Sequence, residues 1–237
     1  AISRPLFRHV LKHSAAVTTV SNWLANEVRS LAPSVNPMVA PMPADTTRYS
    51  PGRRRETSRL LFVGRFTQQK GLEYLLRALS QMKRPAVLDV VGNGGDSERY
   101  RKAAHELCVA DRVAWHGQLR TDQLAGLYRA ATALVVPSID EGLGLVAVEA
   151  LLCETPVVAF RSGGLTDVIQ DGRTGILVPP GDSAALAAAL DDVLAEPDRA
   201  RTLGAAGRIY ALSTFAPESV AERYSDIYKN VLDSRPA

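Results

Sequence analysis

The chain has 237 residues, 46% hydrophobic and 22% charged, which is ordinary for a globular protein and enough for one large core or two smaller domains. Its net charge is only +3, so bulk charge argues for neither a nucleic-acid nor a membrane partner. No apolar run approaches the ~18 residues of a transmembrane helix, and the first residues lack a signal-peptide apolar core and cleavage site. Cys108 and Cys153 stand far apart in apolar helical surroundings, with no Cys/His ligand spacing around either. Two buried thiols and a reducing, cytoplasmic setting are expected.

Residues 1–40 read as a short α/β piece. Residues 5–12 place apolar side chains at 6, 7, 10 and 11, which is helical spacing. Residues 15–20 suit a strand, Ser21 caps a helix to about residue 30, and residues 38–40 suit a weak strand. Such a piece cannot bury both its faces alone, and it reads as the end of a domain. Arg4, Arg8, Lys12 and Arg29 suit a solvated helix face better than contact with anionic lipid. Three prolines and the run Arg53-Arg54-Arg55 then mark residues 41–58 as a linker.

From Arg59 the pattern turns to regular β/α alternation. Strands are expected at 60–63, 86–91, 112–115, 133–137, 156–160 and 175–178. Helices are expected at 72–82, from about 96 to 109, at 121–130 and from Gly144 onward. A short one follows Gly163-Gly164, one starts after Asp182, and two open at Pro197 and Pro217. Strands separated by helices imply right-handed crossovers, hence a parallel sheet with helices on both faces. Ligands of such α/β sheets bind beyond the carboxyl ends of the strands, where the βα loops collect.

Several glycine-rich βα loops share that rim. Ser138-Ile-Asp-Glu141-Gly-Leu-Gly144-Leu-Val-Ala-Val-Glu149 follows a buried strand and runs into a helix, with two carboxylates eight residues apart. The helix start offers free N–H groups, and Glu149 lies about a turn and a half along it. Arg65 and Lys70 flank the first βα loop, where two cations beside a helix start suit a diphosphate. No P-loop is present, because no Gly-Lys pair precedes a Ser or Thr. Gly92-Asn93-Gly94-Gly95 begins like a dinucleotide fingerprint, but Ser97 holds the third glycine position and the loop follows the second strand. Hydride transfer is therefore not expected.

Together these pieces resemble the retaining GT-B glycosyltransferases, in particular glycosyltransferase family 4. The resemblance is carried by Val63-Gly64-Arg65 with Lys70-Gly71, by Val91-Gly92-Asn93-Gly94 and by Val113-Ala-Trp-His-Gly117. It continues through the Glu141…Glu149 element, Thr155-Pro156 with Gly163-Gly164, and residues 171–182, and residues 41–51 are similar to the family's linker. It implies a Rossmann-like donor domain at 59–216, preceded by the truncated end of an acceptor domain at 1–40 and the linker at 41–58. A C-terminal helix at 217–237 would cross back onto that acceptor domain.

Carried over position by position, the resemblance implies that Arg65 and Lys70 bind the donor's diphosphate and steady the leaving group. Glu141 would bind the donor sugar's hydroxyls, and Gly64 would sit in the donor site. The backbone N–H groups of Gly142, Leu143, Gly144 and Leu145 would hold sugar and phosphate. Glu149 would accept hydrogen bonds from the ribose, and Gly92 with the segment around Leu119 would line the base pocket. No cofactor or metal is implied, because the cations replace one. The implied partners are a nucleotide-sugar donor, an acceptor (lipid, polysaccharide or small metabolite) and a separate N-terminal domain, at the inner face of the membrane or free in the cytoplasm. Pro43-Ala44, Asp167 and Ala216-Pro217 depart from the common family residues, all outside the phosphate and sugar core. Two other readings share this architecture: a sugar-nucleotide 2-epimerase, and a module that binds nucleotide sugar without transferring it.

Overall fold

The computed structural model describes residues 4–52 and 58–233. The Arg53–Arg55 run of the linker lies outside the described residues, as do the first three and last four positions. The N-terminal piece comprises α1 (Arg4–His13), β1 (Thr18–Thr19), α2 (Asn22–Leu31) and β2 (Met38–Val39), the two strands pairing in parallel. The expected strand at 15–20 is thus only two residues long. A partner strand of the same length leaves nothing more to pair with. Ser21 caps α2 as expected, its hydroxyl accepting from Leu24 N–H at 3.2 Å.

The main sheet has six parallel strands: β3 (Arg59–Val63), β4 (Val87–Val91), β5 (Val113–Gly117), β6 (Ala133–Val136), β7 (Val157–Phe160) and β8 (Gly175–Val178). Their spatial order is β5-β4-β3-β6-β7-β8. The chain therefore winds outward from β3 to one edge, returns, and winds outward from β6 to the other. Between the strands lie α3 (Leu72–Gln81), α4 (Ser97–Glu106), α5 (Thr121–Ala130), α6 (Leu145–Leu152) and α7 (Leu165–Val168). After β8 come α8 (Ser183–Ala195), α9 (Pro197–Phe215) and α10 (Pro217–Asp233).

Period-two alternation sorts the strand side chains into two cores. Leu60, Phe62, Leu88, Val90, Val135, Val158 and Phe160 meet α3, α4 and α8 on one face. Leu61, Leu134, Val136, Val157 and Ala159 meet α5, α6 and α9 on the other. This double burial explains why β3, β6 and β7 read as nearly unbroken apolar runs. Leu72, Leu75, Leu76 and Leu79 of α3 are fully buried, each contributing about 1.5–3 kcal/mol. Asp182 caps α8 by accepting from Ala184 and Ala185 N–H at 3.0 and 2.9 Å.

Two expectations need correction. Cys153 is buried, but Cys108 is exposed. The fourth helix stops at Glu106, and Cys108 turns left-handed (φ 55°) beyond its end, which swings the thiol outward. The third sheet strand also reaches Gly117, two residues further than expected. In α10, Val220 and Ile227 are buried while Tyr228 and Leu232 stand exposed, so only part of its apolar face is packed. Leu11 of α1 is buried, whereas Leu6, Phe7 and Val10 are exposed beside the solvated Arg4, Arg8 and Lys12. Among the described residues no helix is long and apolar enough to cross a membrane.

Candidate functional site

The strand order reverses between β3 and β6, and at their carboxyl ends the loops part to leave a cleft of about 370 Å³. Gly64 and Lys70 come to it from the β3 side, and Ser138 and Glu141 from the β6 side. Gly142, Leu143, Gly144 and Leu145 line it between them. Val20 and Met42 reach it from the N-terminal piece and the linker.

Glycines set how closely the rim loops approach. Gly71 (φ 70°) ends the short turn Gln68–Lys70, and a Cβ on it would sit 1.9 Å from Pro137 O. The β3 loop therefore presses on the β6 loop. Ile139 N–H donates to Gln69 O at 3.0 Å, and Gln69 Nε2 donates to Asp140 O at 3.0 Å. This seam brings Lys70 Nζ to 2.6 Å from Glu141 Oε2, with the two side chains 24% and 13% exposed. That burial is deep enough to strengthen the pair beyond a surface salt bridge and shallow enough to leave both groups open to the cleft.

The β7 loop braces the β6 loop from its other side. Gly164 N–H donates to Glu141 O at 2.7 Å. Cβ atoms on Gly163 and Gly164 would lie 2.1 Å from Glu141 O and 2.3 Å from Gly142 O. The double glycine is thus a seat for the backbone that carries Glu141. Gly144 turns left-handed (φ 92°) and releases the chain into α6, whose first residues, Leu145 and Val146, line the cleft.

On α6, Ala147, Val148, Ala150 and Leu151 are buried, and Leu145, Val146 and Glu149 share the remaining face at i, i+3, i+4 spacing. Leu145 and Val146 line the cleft, and Glu149 lies one turn further along. Its Oε2 accepts from the Tyr128 hydroxyl at 2.7 Å, and the Tyr49 ring backs Tyr128 edge-on at 5.7 Å. Burial raises the Glu149 pKa above the usual carboxyl value, with the two tyrosines opposing the rise. Tyr128 is raised well above the usual phenol value, by burial and then by the Glu149 charge.

The N-terminal piece is bonded to this rim. Ser21 Oγ donates to Gly142 O at 2.7 Å. The Asp167 carboxylate of α7 accepts from Asn22 N–H (2.7 Å), Asn22 Nδ2 (2.9 Å) and Trp23 N–H (3.3 Å), which places a negative charge at the start of α2.

Gly64, Lys70, Glu141 and residues 142–145 are therefore gathered at one cleft, while Arg65, Gly92, Leu119 and Glu149 do not line it. Arg65 is exposed, and its side chain makes no hydrogen bond or ion pair among the described residues. Gly92 (φ 131°) would bring a Cβ to 1.9 Å from Gly64 O, so it serves close packing of the β3 and β4 loops. Leu119 packs on the second core. His116, of the same stretch, points to the buried Asp89, its Nε2 2.5 Å from Oδ1. Sequence reasoning missed Val20, Met42, Tyr49 and Tyr128. Tyr128 carries the ordinary signature of a core residue on a helix, and nothing local marks the others. It noticed Asp167 only as a departure from the family residue.

A family model described as "Glycosyl transferases group 1" matches residues 44–210. The chain is 31% identical over 258 residues to a GDP-mannose-dependent alpha-(1-6)-phosphatidylinositol monomannoside mannosyltransferase of Mycolicibacterium smegmatis, covering 100% of this chain and 68% of that protein. It is 37% identical over 216 residues to a D-inositol 3-phosphate glycosyltransferase of Corynebacterium kroppenstedtii, covering 81% and 48%. Sucrose-phosphate synthase from Thermosynechococcus elongatus superposes with a TM-score of 0.89 at 31% identity, covering 98% of this chain and 62% of that one. The HepE protein of Anabaena, solved with UDP and glucose, shares the fold at a TM-score of 0.86 and 19% identity, with 97% and 68% covered. The chain thus spans about half to two-thirds of the length of these relatives.

Proposed function

Because the chain belongs to the glycosyl transferases group 1 family, we propose that it is the donor-binding half of a retaining glycosyltransferase that uses a nucleoside-diphosphate sugar without a metal. The observation that carries the reading is the Lys70–Glu141 pair, set over the start of α6 at the point where the strand order reverses. A cation, a carboxylate and a row of backbone N–H groups within one cleft match the three parts of a diphosphate sugar.

In this reading Lys70 and the exposed Arg65 meet the diphosphate by charge-assisted hydrogen bonds. Lys70 then exchanges its bond to Glu141 for one to phosphate, which frees the Glu141 carboxylate for the hydroxyls of the sugar. The N–H groups at the start of α6 meet phosphate or sugar oxygen. Glu149, one turn further along, takes the ribose diol. The bond from the anomeric carbon to the β-phosphate oxygen breaks with its electron pair leaving on the nucleoside diphosphate, and the acceptor hydroxyl oxygen forms the new bond as its proton passes to the departing phosphate oxygen. Cations at the leaving oxygens stabilise charge as it develops there. The relatives differ in what their names and descriptions give as donor or bound nucleotide, GDP-mannose in one and UDP in another, so the base is the first property to measure.

Calorimetry with UDP, GDP and ADP tests the reading. One nucleotide should bind, and Lys70→Ala should weaken it by about 10- to 150-fold, the worth of a hydrogen bond to a charged group. Absence of binding by all three, or a Lys70→Ala variant that binds as well as the parent, refutes it. Release of free sugar from the sugar nucleotide would mark an active site, and release of the 2-epimer would refute transfer as the reaction.

A further inference from the structure

The N-terminal piece meets the donor loop through one hydroxyl. Ser21 is 1% exposed, and its Oγ makes two hydrogen bonds. It accepts from Leu24 N–H at 3.2 Å as the cap of α2, and it donates to Gly142 O at 2.7 Å, 121 residues away in the chain. Capping needs only an acceptor, which an aspartate supplies as well. The hydroxyl has one proton besides, and that proton goes to Gly142 O. Ser21 is itself held, its carbonyl accepting from Thr19 Oγ1 at 3.1 Å and from Ala25 N–H at 3.0 Å. Leu24 lies over the same glycine, 3.7 Å from its Cβ position, and Val20, next to Ser21, lines the cleft.

In a trans peptide the C=O and the following N–H point in opposite directions. Glu141 O is taken by Gly164 N–H at 2.7 Å, so the Gly142 N–H points away from the double glycine. Gly142 O is taken by Ser21 Oγ, so the Leu143 N–H points away from the N-terminal piece. Among the described residues neither N–H has a protein acceptor, and both residues line the cleft. Two carbonyls fastened behind the loop therefore leave two successive N–H groups free in front of it, the arrangement of an anion-binding nest. A glycine at 142 leaves this backbone freer to turn than any other residue would, so the peptide needs an outside partner to keep its direction.

We infer that Ser21 is a positioning residue of the donor site: from the N-terminal piece it holds the Gly142–Leu143 peptide with its N–H toward the donor, so the seating of that piece sets donor affinity. The inference rests on the donor reading given above. It gives a part in donor binding to a piece of chain that the resemblance assigns to the acceptor domain.

The test uses the whole chain and calorimetry with UDP-glucose and GDP-mannose, and with UMP and GMP by competition against the sugar nucleotide, on the parent, Ser21→Ala, Ser21→Gly, Asp167→Ala and Lys70→Ala. Ser21→Ala should weaken the sugar nucleotide that binds by about five-fold, the worth of one hydrogen bond, and the matching monophosphate by less than about two-fold. Ser21→Gly keeps most of the stability of the cap and should lose as much affinity as Ser21→Ala. Asp167→Ala loosens the start of α2 but leaves Gly142 O paired, so its affinity should stay within about two-fold of the parent. Unchanged affinity in the Ser21 variants, equal losses for sugar nucleotide and monophosphate, or a loss in Asp167→Ala as large as that in Ser21→Ala would each overturn it. If Ser21→Ala does not fold by circular dichroism, Ser21→Gly carries the test. A Lys70→Ala variant that binds as well as the parent refutes the donor reading itself, a result distinct from one in which Lys70 matters and Ser21 does not.

Discussion

Replacing Gly163 by alanine separates two costs that the structure keeps apart at different glycines. Gly163 has φ 53°, and an added Cβ would meet Glu141 O at 2.1 Å and Glu141 N at 2.9 Å. The left-handed conformation costs alanine about 1–2 kcal/mol. The clash is with backbone, so the two loops must part by on the order of 1 Å, a strain of about 1–3 kcal/mol. The sum, about 2–5 kcal/mol, predicts a fall in melting temperature of about 4–20 °C for a domain of this size. Gly172 (φ 73°) has no atom within 4 Å of its Cβ position, so Gly172→Ala should show the dihedral cost alone. Gly95 has neither the clash nor the positive φ, and Gly95→Ala should stay within about 0.5 kcal/mol of the parent. Urea midpoints followed by circular dichroism give the three values on one scale. Because Gly163 seats the backbone of Glu141, nucleotide-sugar binding should fall in that variant and not in the other two. If Gly163→Ala unfolds where Gly172→Ala does, the steric argument is wrong.

Three further outcomes follow from the geometry. Burial raises the Glu149 pKa, and a carboxyl raised on folding adds stability that is full below its unfolded value and is lost as pH rises through its folded value. Glu149→Gln should therefore gain on the parent as pH climbs above the ordinary carboxyl value of 4.5 toward neutrality; a difference that stays constant from pH 4 to 8 refutes this. Burial also pushes the Cys153 thiol up to about 11, while Cys108 is exposed, so iodoacetamide should label Cys108 alone in the native chain and both cysteines in urea, by peptide mass. Asp167→Ala removes three acceptor contacts at the start of α2 and should cost about 1–2 kcal/mol. Hydrogen exchange should quicken at Asn22 and Trp23; unchanged protection there would show that the carboxylate does not hold the helix.

The main sheet was legible because its inner strands β3, β6 and β7 are buried on both faces and so read as apolar runs bounded by turn residues. The caps at Ser21 and Asp182 were legible because a cap acts within four residues of its own chain. The site was legible in its loops, since Lys70, Glu141 and residues 142–145 sit directly after strands whose carboxyl ends share one rim. What stayed hidden depends on atoms distant in sequence. Tyr49 meets Tyr128, and Tyr128 meets Glu149, only once linker, α5 and α6 are packed together. The glycines at 92 and 163 read as ligand loops or a turn, and their tightest constraint is backbone from another loop. Cys108 failed for a local reason: a single left-handed residue beyond the helix end reverses which way its side chain faces.

The reversal of strand order between β3 and β6 also governs when the cleft can exist. Lys70 and Glu141 are 71 residues apart, and the whole β4–β5 half of the sheet is inserted between the strands that carry them. Contacts of such separation close a long loop and form late in folding. A chain with only one half of its sheet assembled has helices and a partial core but no Lys70–Glu141 pair. A nucleotide sugar bound at that pair as proposed above would stabilise only molecules whose two halves have met, by RT ln(1 + [L]/Kd). Such a ligand would act as an inspector of the finished fold, drawing the population toward complete molecules and passing over those that stopped halfway.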